Sequence, residues 1–170
     1  METTINPKQT NTQGEKDYEL IQLEKTKKIC GLCEQYCSSK TSQNDLVAVM
    51  SCEGACLRGE VSRRVANKLC FEEFPENTAR VCLGSAFTKD TGQRNMVRNA
   101  KRVIALEGCT IECASRMMKS VLPDLKPEVV LVDKYYNFDK KLFAINEATE
   151  EELLAYSNEA ACNIKKIINP

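Results

Sequence analysis

Two stretches of the chain carry cysteines at the same spacing and in the same kind of turn. In the segments VAVMSCEGACL and VIALEGCTIEC, Cys52 and Cys56, like Cys109 and Cys113, lie four positions apart. Each pair follows a short apolar run, and Cys52 and Cys109 each stand in the turn that precedes a helix. A helix N-terminus favours negative charge and lowers the pKa of a nearby thiol. These residues therefore indicate thiolate chemistry, either metal binding or reaction with an electrophile.

Cysteine also dominates the metal ligands that the chain can offer. The sequence has ten cysteines and no histidine, which excludes mixed Cys/His zinc sites and Cys–His or Ser–His catalytic dyads. The N-terminus has no apolar leader, and no apolar run approaches the roughly 18 residues of a membrane span, so we expect a cytoplasmic protein. Because the cytosol keeps thiols reduced, clustered cysteines there indicate metal or redox chemistry rather than disulfides.

A separate cluster, CGLCEQYC, supplies Cys30, Cys33 and Cys37 near the N-terminus. Three thiols at this spacing suit a second zinc ion or a [4Fe–4S] cluster, with a fourth thiolate from elsewhere in the chain. Cys56 is the predicted fourth ligand, since it lies one turn beyond Cys52. A thioredoxin-like role for CGLC is disfavoured, because that motif normally follows a strand and opens a helix.

The elements that position these cysteines alternate between strand and helix patterns. A continuous apolar run over residues 46–50 predicts a buried parallel strand, and apolar residues at i+4 steps over 57–69 predict an amphipathic helix. The segments ARVCLG, RVIAL and EVVLVD are further predicted strands, with helices between them. Thr149 and Glu152 form a capping box for a helix that runs to about residue 167. This alternation predicts an α/β fold: a small open, mostly parallel sheet with flanking helices and a Cys-rich N-terminal extension.

Composition predicts how the chain divides into a tail, a Cys-rich segment and a folded domain. Residues 1–27 form a polar tail that we expect to be disordered, and 28–44 form the Cys-rich N-terminal segment. Residues 45–170 form a single α/β domain.

Lys+Arg and Asp+Glu balance at 24 each, and no basic–aromatic pattern is present, so we expect neither a nucleic-acid nor a membrane partner.

The segments LVAVMSCEGACLRGEVSRRVANKL, VCLGSAF and RVIALEGCTIECASRMM together resemble the DGC-motif family. The resemblance covers about residues 46–122 and implies zinc binding by four cysteines, which fall here on Cys52, Cys82, Cys109 and Cys113. The Asp of the family's Asp-Gly-Cys motif is Glu107 in this chain. This acidic residue either accepts a backbone hydrogen bond in the turn or orients a ligand.

The expected function is zinc binding with a structural, storage or delivery role, the metal ion being the partner. A closed site of four thiolates leaves no coordination position for water, which argues against hydrolysis. The alternative is an iron–sulfur protein or a redox protein that carries a reactive thiol or persulfide. A further alternative is an adaptor that binds a protein partner through the segment YELIQLEK and the capped C-terminal helix.

Overall fold

A computed structural model describes residues 22–24 and 28–168, so the predicted polar tail lies almost wholly outside the described residues. Within that part of the chain, four strands form one sheet: β1 (Val47–Ser51), β2 (Thr78–Arg80), β3 (Arg102–Glu107) and β4 (Glu128–Leu131). Six α-helices accompany them: α1 (Gly31–Thr41), α2 (Leu57–Lys68), α3 (Leu83–Ala86), α4 (Gly92–Asn99), α5 (Cys113–Val121) and α6 (Glu150–Ile168). None of the helices described is long and apolar enough to cross a membrane.

The sheet has the strand order β2-β1-β3-β4, and every neighbouring pair is parallel. The predicted α/β fold is therefore confirmed, with a sheet that is wholly rather than mostly parallel. β2 lies on one side of β1, and β3 lies on the other side. The order in which the strands are added therefore reverses between β1 and β3. At such a reversal the carboxyl ends of two neighbouring strands leave a crevice, which is where open α/β sheets bind ligands.

Successive residues of each strand contribute side chains to two hydrophobic cores, one on each face of the sheet. Val49 and Leu106 pack with α2 and α6 on the first face. Met50 and Ala105 pack on the second face with residues of α1, α4 and α5. The strands are thus buried on both sides, which explains their continuous apolar runs.

The predicted C-terminal capping box is present. The Thr149 backbone N–H donates to the Glu152 carboxylate at 2.7 Å, and the Glu152 N–H donates to the Thr149 hydroxyl at 3.2 Å. These bonds satisfy N–H groups that the first turn of α6 leaves without helical partners.

The Cys-rich segment forms helix α1, for which the sequence carried no clear helical pattern. Burial of one thiol and several hydrogen bonds attach it to the rest of the molecule. Cys37 is 1% exposed and belongs to the second core. The Glu34 carboxylate accepts the N–H of Gly92 at 2.9 Å, and the Tyr36 hydroxyl accepts the N–H of Arg80 at 3.1 Å.

Candidate metal centre

The turn after β1 holds Cys52 at the crevice between β1 and β3. Its backbone N–H donates to the carbonyl of Leu106 at 2.9 Å, which continues the pairing with β3 past the end of the strand. The side chain is buried, and the backbone N–H groups of Gly54 and Gly108 favour the thiolate form of its sulfur. Cys113 lies close enough for its charge to act on Cys52. Cys52 and Cys113, two of the predicted ligands, are therefore within electrostatic range of each other.

The pKa of the Cys52 thiol moves in the direction opposite to the expectation for a thiol near a helix N-terminus. Burial raises this pKa, and the N–H groups of Gly54 and Gly108 only partly offset the effect. The charges of Cys113 and Glu107 raise it further. Without a cation, this thiol therefore keeps its proton at neutral pH.

Close backbone contacts bring the two cysteine-bearing turns together. A Cβ on Gly108 would lie 2.8 Å from the carbonyl carbon and oxygen of Arg58 and 3.0 Å from the nitrogen of Gly59. A Cβ on Gly59 would lie 2.7 Å from the nitrogen of Gly54. Glycine is needed at both places because the backbones themselves are in contact. The first turn of α2 is thus packed between the turns that carry Cys52 and Cys109.

Glu107 holds the start of α5. Its carboxylate has no exposed surface and accepts the N–H groups of Ala114 at 3.2 Å and Ser115 at 2.7 Å, together with the Ser115 hydroxyl at 2.7 Å. Of the two predicted roles for this acidic residue, the structure shows the backbone hydrogen bonds. Cys113 is the first residue of α5, so Glu107 determines where that thiol lies.

Cys82 stands at the end of β2 and immediately before α3, where it is exposed. Its backbone N–H donates to the side-chain oxygen of Gln93 at 3.0 Å, and the Gln93 amide nitrogen donates to the sulfur of Cys33 at 3.5 Å. Cys82 also acts electrostatically on Cys37. Gln93 therefore connects the backbone of this predicted ligand with Cys33 on α1.

Cys33 and Cys37 lie together on α1. Burial raises the pKa of the Cys37 thiol to about 12, and the charge and hydrogen bond of Cys33 add to this effect. Cys30 is exposed at the residue that precedes α1. Of the three N-terminal cysteines, Cys33 and Cys37 thus interact with each other on α1.

Cys56 stays beside Cys52. The sulfurs of Cys56 and Cys52 lie 3.6 and 3.8 Å from the point that a Cβ on Gly54 would occupy. The Cys56 sulfur accepts the N–H of Gly59 at 3.4 Å and so caps α2. Its predicted association with the N-terminal cysteines is not among the contacts seen here.

In the part of the chain that the structure describes, no group of three or more Cys, Asp or Glu side chains is arranged to hold a metal ion. Cys109 lies in the turn before α5, half-buried like Cys113. The chemistry of the side chains nevertheless suits a thiophilic cation, since Cys52, Cys109 and Cys113 all follow the carboxyl ends of β1 and β3 and the N–H groups of Gly54 and Gly108 favour the Cys52 thiolate.

Gln93 and Gly59 also position the cysteine-bearing segments, and the sequence did not predict this for either residue. Nothing in the sequence pattern distinguishes Gln93, because its role depends on two bonds to residues that are 11 and 60 positions away. Gly59 did offer a signal, since a glycine in the first turn of a helix is unfavourable unless a close approach requires it.

Fold and site together define an α/β protein that gathers thiols at the carboxyl edge of a parallel sheet. The DGC domain family matches residues 48–156, which is more than half of the chain. The chain therefore belongs to the DGC domain family. Searches of curated proteins and of solved structures found no match.

Proposed function

We propose that this protein binds one zinc ion at the crevice through Cys52, Cys82, Cys109 and Cys113. The observation that carries the proposal is Cys52, which is buried where β1 and β3 end, close enough to Cys113 for its charge to act on it, and whose thiolate is favoured by the backbone N–H groups of Gly54 and Gly108. Such donors stabilise a thiolate once a cation has displaced its proton. The other two ligands follow from family membership and from their places at the same edge of the sheet.

The donor set determines what the ion would do. Four thiolates bind zinc in a closed tetrahedral site at about 2.3 Å, with no position left for water. The chain would then supply a structural, storage or delivery site rather than a hydrolytic centre. A zinc ion with four thiolates carries a net negative charge, which a nearby cationic side chain would balance. Arg116, on α5, donates to the carbonyl of Ile111 at 3.4 Å and so places a cation beside the turn that carries Cys109 and Cys113.

Elemental analysis of anaerobically purified protein tests the proposal. We expect stoichiometric zinc in the wild type, its loss in C52S/C113S, and no change in C162S, a control at an exposed cysteine on α6. A chelator should lower the Tm of the wild type and leave that of C52S/C113S unchanged, because structural zinc contributes on the order of 10 kcal/mol to folding.

Two results would contradict the proposal. One is zinc that persists undiminished in C52S/C113S. The other is a brown protein that contains iron and acid-labile sulfide in place of zinc, which would identify an iron–sulfur protein.

A further inference from the structure

Cys52 and Cys56 lie at the two ends of one short turn, CEGAC, which backbone hydrogen bonds hold at both ends. The Cys52 N–H donates to the carbonyl of Leu106 at 2.9 Å, and this bond ties the start of the turn to β3. Cys56 forms an isolated antiparallel bridge with Ala144, which ties the end of the turn to a later segment of the chain. The backbones of the two cysteines are therefore held in a defined relation.

The two sulfurs face the same side of this turn. The Cys56 sulfur lies 3.6 Å and the Cys52 sulfur 3.8 Å from the point that a Cβ on Gly54 would occupy, so the sulfurs are no farther apart than the sum of these distances. The turn is packed against α2, since a Cβ on Gly59 would lie 2.7 Å from the nitrogen of Gly54. A disulfide bond of about 2.05 Å between the sulfurs requires rotation about χ1, between the staggered positions that cysteine side chains adopt.

The two thiols differ in access to solvent. Cys52 is 7% exposed, whereas Cys56 is half-buried. Cys56 is also the N-cap residue of α2, where its sulfur accepts the N–H of Gly59 at 3.4 Å. Residues with a side-chain oxygen are preferred at this position, and sulfur is a weaker acceptor. A cysteine in their place, open to solvent and beside a second thiol, indicates a reactive residue rather than a cap alone.

We propose that Cys52 and Cys56 form a redox-active dithiol that reduces a small-molecule disulfide. Cys56 attacks one sulfur of the substrate, because it is the thiol that solvent reaches, and half of the substrate leaves as a thiol with the proton from Cys56. Cys52 then attacks the Cys56 sulfur of the mixed disulfide, and the other half leaves as a thiol with the proton from Cys52. The pair loses two electrons in forming its own disulfide bond, and the substrate disulfide gains them. An excess of a thiol reductant reverses both steps.

The surroundings of Cys56 favour a small substrate over a protein disulfide. The bridge to Ala144 and the bond from the Leu57 N–H to the carbonyl of Phe143 at 2.7 Å bring residues 143–144 against the start of α2. This segment lies along one side of Cys56, whose side chain is only half-buried as a result. A small disulfide can approach the part that is open, whereas the bulk of a folded protein would meet the segment.

The dithiol goes beyond the proposed zinc ion and does not depend on it. Cys52 cannot form a disulfide bond and bind zinc at the same time, so oxidation of the pair and occupancy of the crevice exclude each other. Zinc should therefore protect the pair from oxidation. Only this competition rests on the proposed function.

Peptide mapping of the full-length protein, treated with a chelator and then with oxidised glutathione, tests the inference. Trypsin releases Cys52 and Cys56 in one peptide, residues 41–58. In the wild type we expect this peptide to lose two hydrogen atoms in mass and to carry no glutathione. This should occur at a ratio of oxidised to reduced glutathione that leaves the exposed Cys162 largely reduced, because the second step at Cys56 is intramolecular.

Two variants separate the steps. C56S should leave the peptide unmodified, and serine at the N-cap keeps the start of α2. C52S should stop the reaction at the mixed disulfide, with one glutathione on Cys56. C52A, which has no polar group at this buried position, should trap the same adduct and so separates the chemistry from a folding defect. C162S is the control and should behave as the wild type does.

Three results would overturn the inference: a wild-type peptide that stays reduced, one that keeps glutathione on Cys56, or a C56S peptide that is modified on Cys52 as fast as in the wild type. None of them bears on the crevice ion, whose test is the zinc content of C52S/C113S. Conversely, a dithiol that is oxidised equally fast with and without added zinc would contradict the proposed ion at Cys52 and leave the dithiol standing.

Discussion

At the scale of single residues, Glu107 shows how one side chain sets the position of a thiol. Its carboxylate is fully buried and receives three hydrogen bonds from the first turn of α5. Hydrogen bonds to a charged group contribute more than neutral ones, and a buried group that loses its partners costs free energy. An Asp in the corresponding place, as in the motif for which the family is named, would offer the same oxygens on a shorter side chain.

We therefore expect Glu107→Ala to lower the free energy of unfolding by about 2–3 kcal/mol, because the N–H groups of Ala114 and Ser115 lose a charged acceptor. Glu107→Asp should cost less than half as much. Urea denaturation measures both, with Glu76→Gln, at an exposed glutamate before β2, as the control. A cost for Glu107→Asp equal to that for Glu107→Ala would show that the acceptor oxygens are not what matters.

At the scale of elements, the cysteine-bearing turns depend on backbone contact with α2. Gly108 lies against the backbone of Arg58 and Gly59, and Gly59 against Gly54. The turn after β3 can therefore reach the turn after β1 only because no side chain separates them from α2. The apolar runs and turn residues predict each strand–turn–helix unit, but not this contact between units.

Gly108→Ala should destabilise the protein by about 1–3 kcal/mol, since its Cβ would meet backbone atoms that cannot move aside. Gly84→Ala is the matched control, because a Cβ there would meet no described atom within 4 Å and the residue lies in helix α3. We expect that control to be neutral or stabilising by up to about 1 kcal/mol. Thermal unfolding compares the two, and equal Tm values would contradict the close-contact argument.

At the scale of the whole molecule, the folded unit extends beyond the family match. The match begins within β1 and ends at residue 156, inside α6. The remainder of α6 still contributes Ala160, Ile164 and Ile168 to the core on the first face of the sheet. On the second face, α1 lies outside the match and contributes Cys37. Both faces of the sheet are thus completed by residues from outside the matched region.

Ile164→Ala should lower the free energy of unfolding by about 2–4 kcal/mol, the usual cost of a cavity at a fully buried Ile. Ile167→Ala, on the same helix but 46% exposed, should cost less than about 1 kcal/mol. Chemical denaturation of the two variants provides the comparison. Equal costs would mean that the end of α6 does not belong to the cooperative unit.

The sequence by itself determined the alternation of strands and helices, the parallel sheet and the capping box of α6. These features depend on apolar periodicity and on residues within one turn of each other, which are local properties of the chain. The same reasoning placed Cys52 and Cys109 in turns at the carboxyl edge of the sheet.

The tertiary structure alone decided which thiols are neighbours. The Gln93 amide connects the backbone of Cys82 with the sulfur of Cys33, and Cys56 lies near Cys52. Spacing determines which face of an element a residue occupies. Which faces meet depends on the packing of α1 against α4 and on buried groups such as Gln93, whose partners are far apart in the chain.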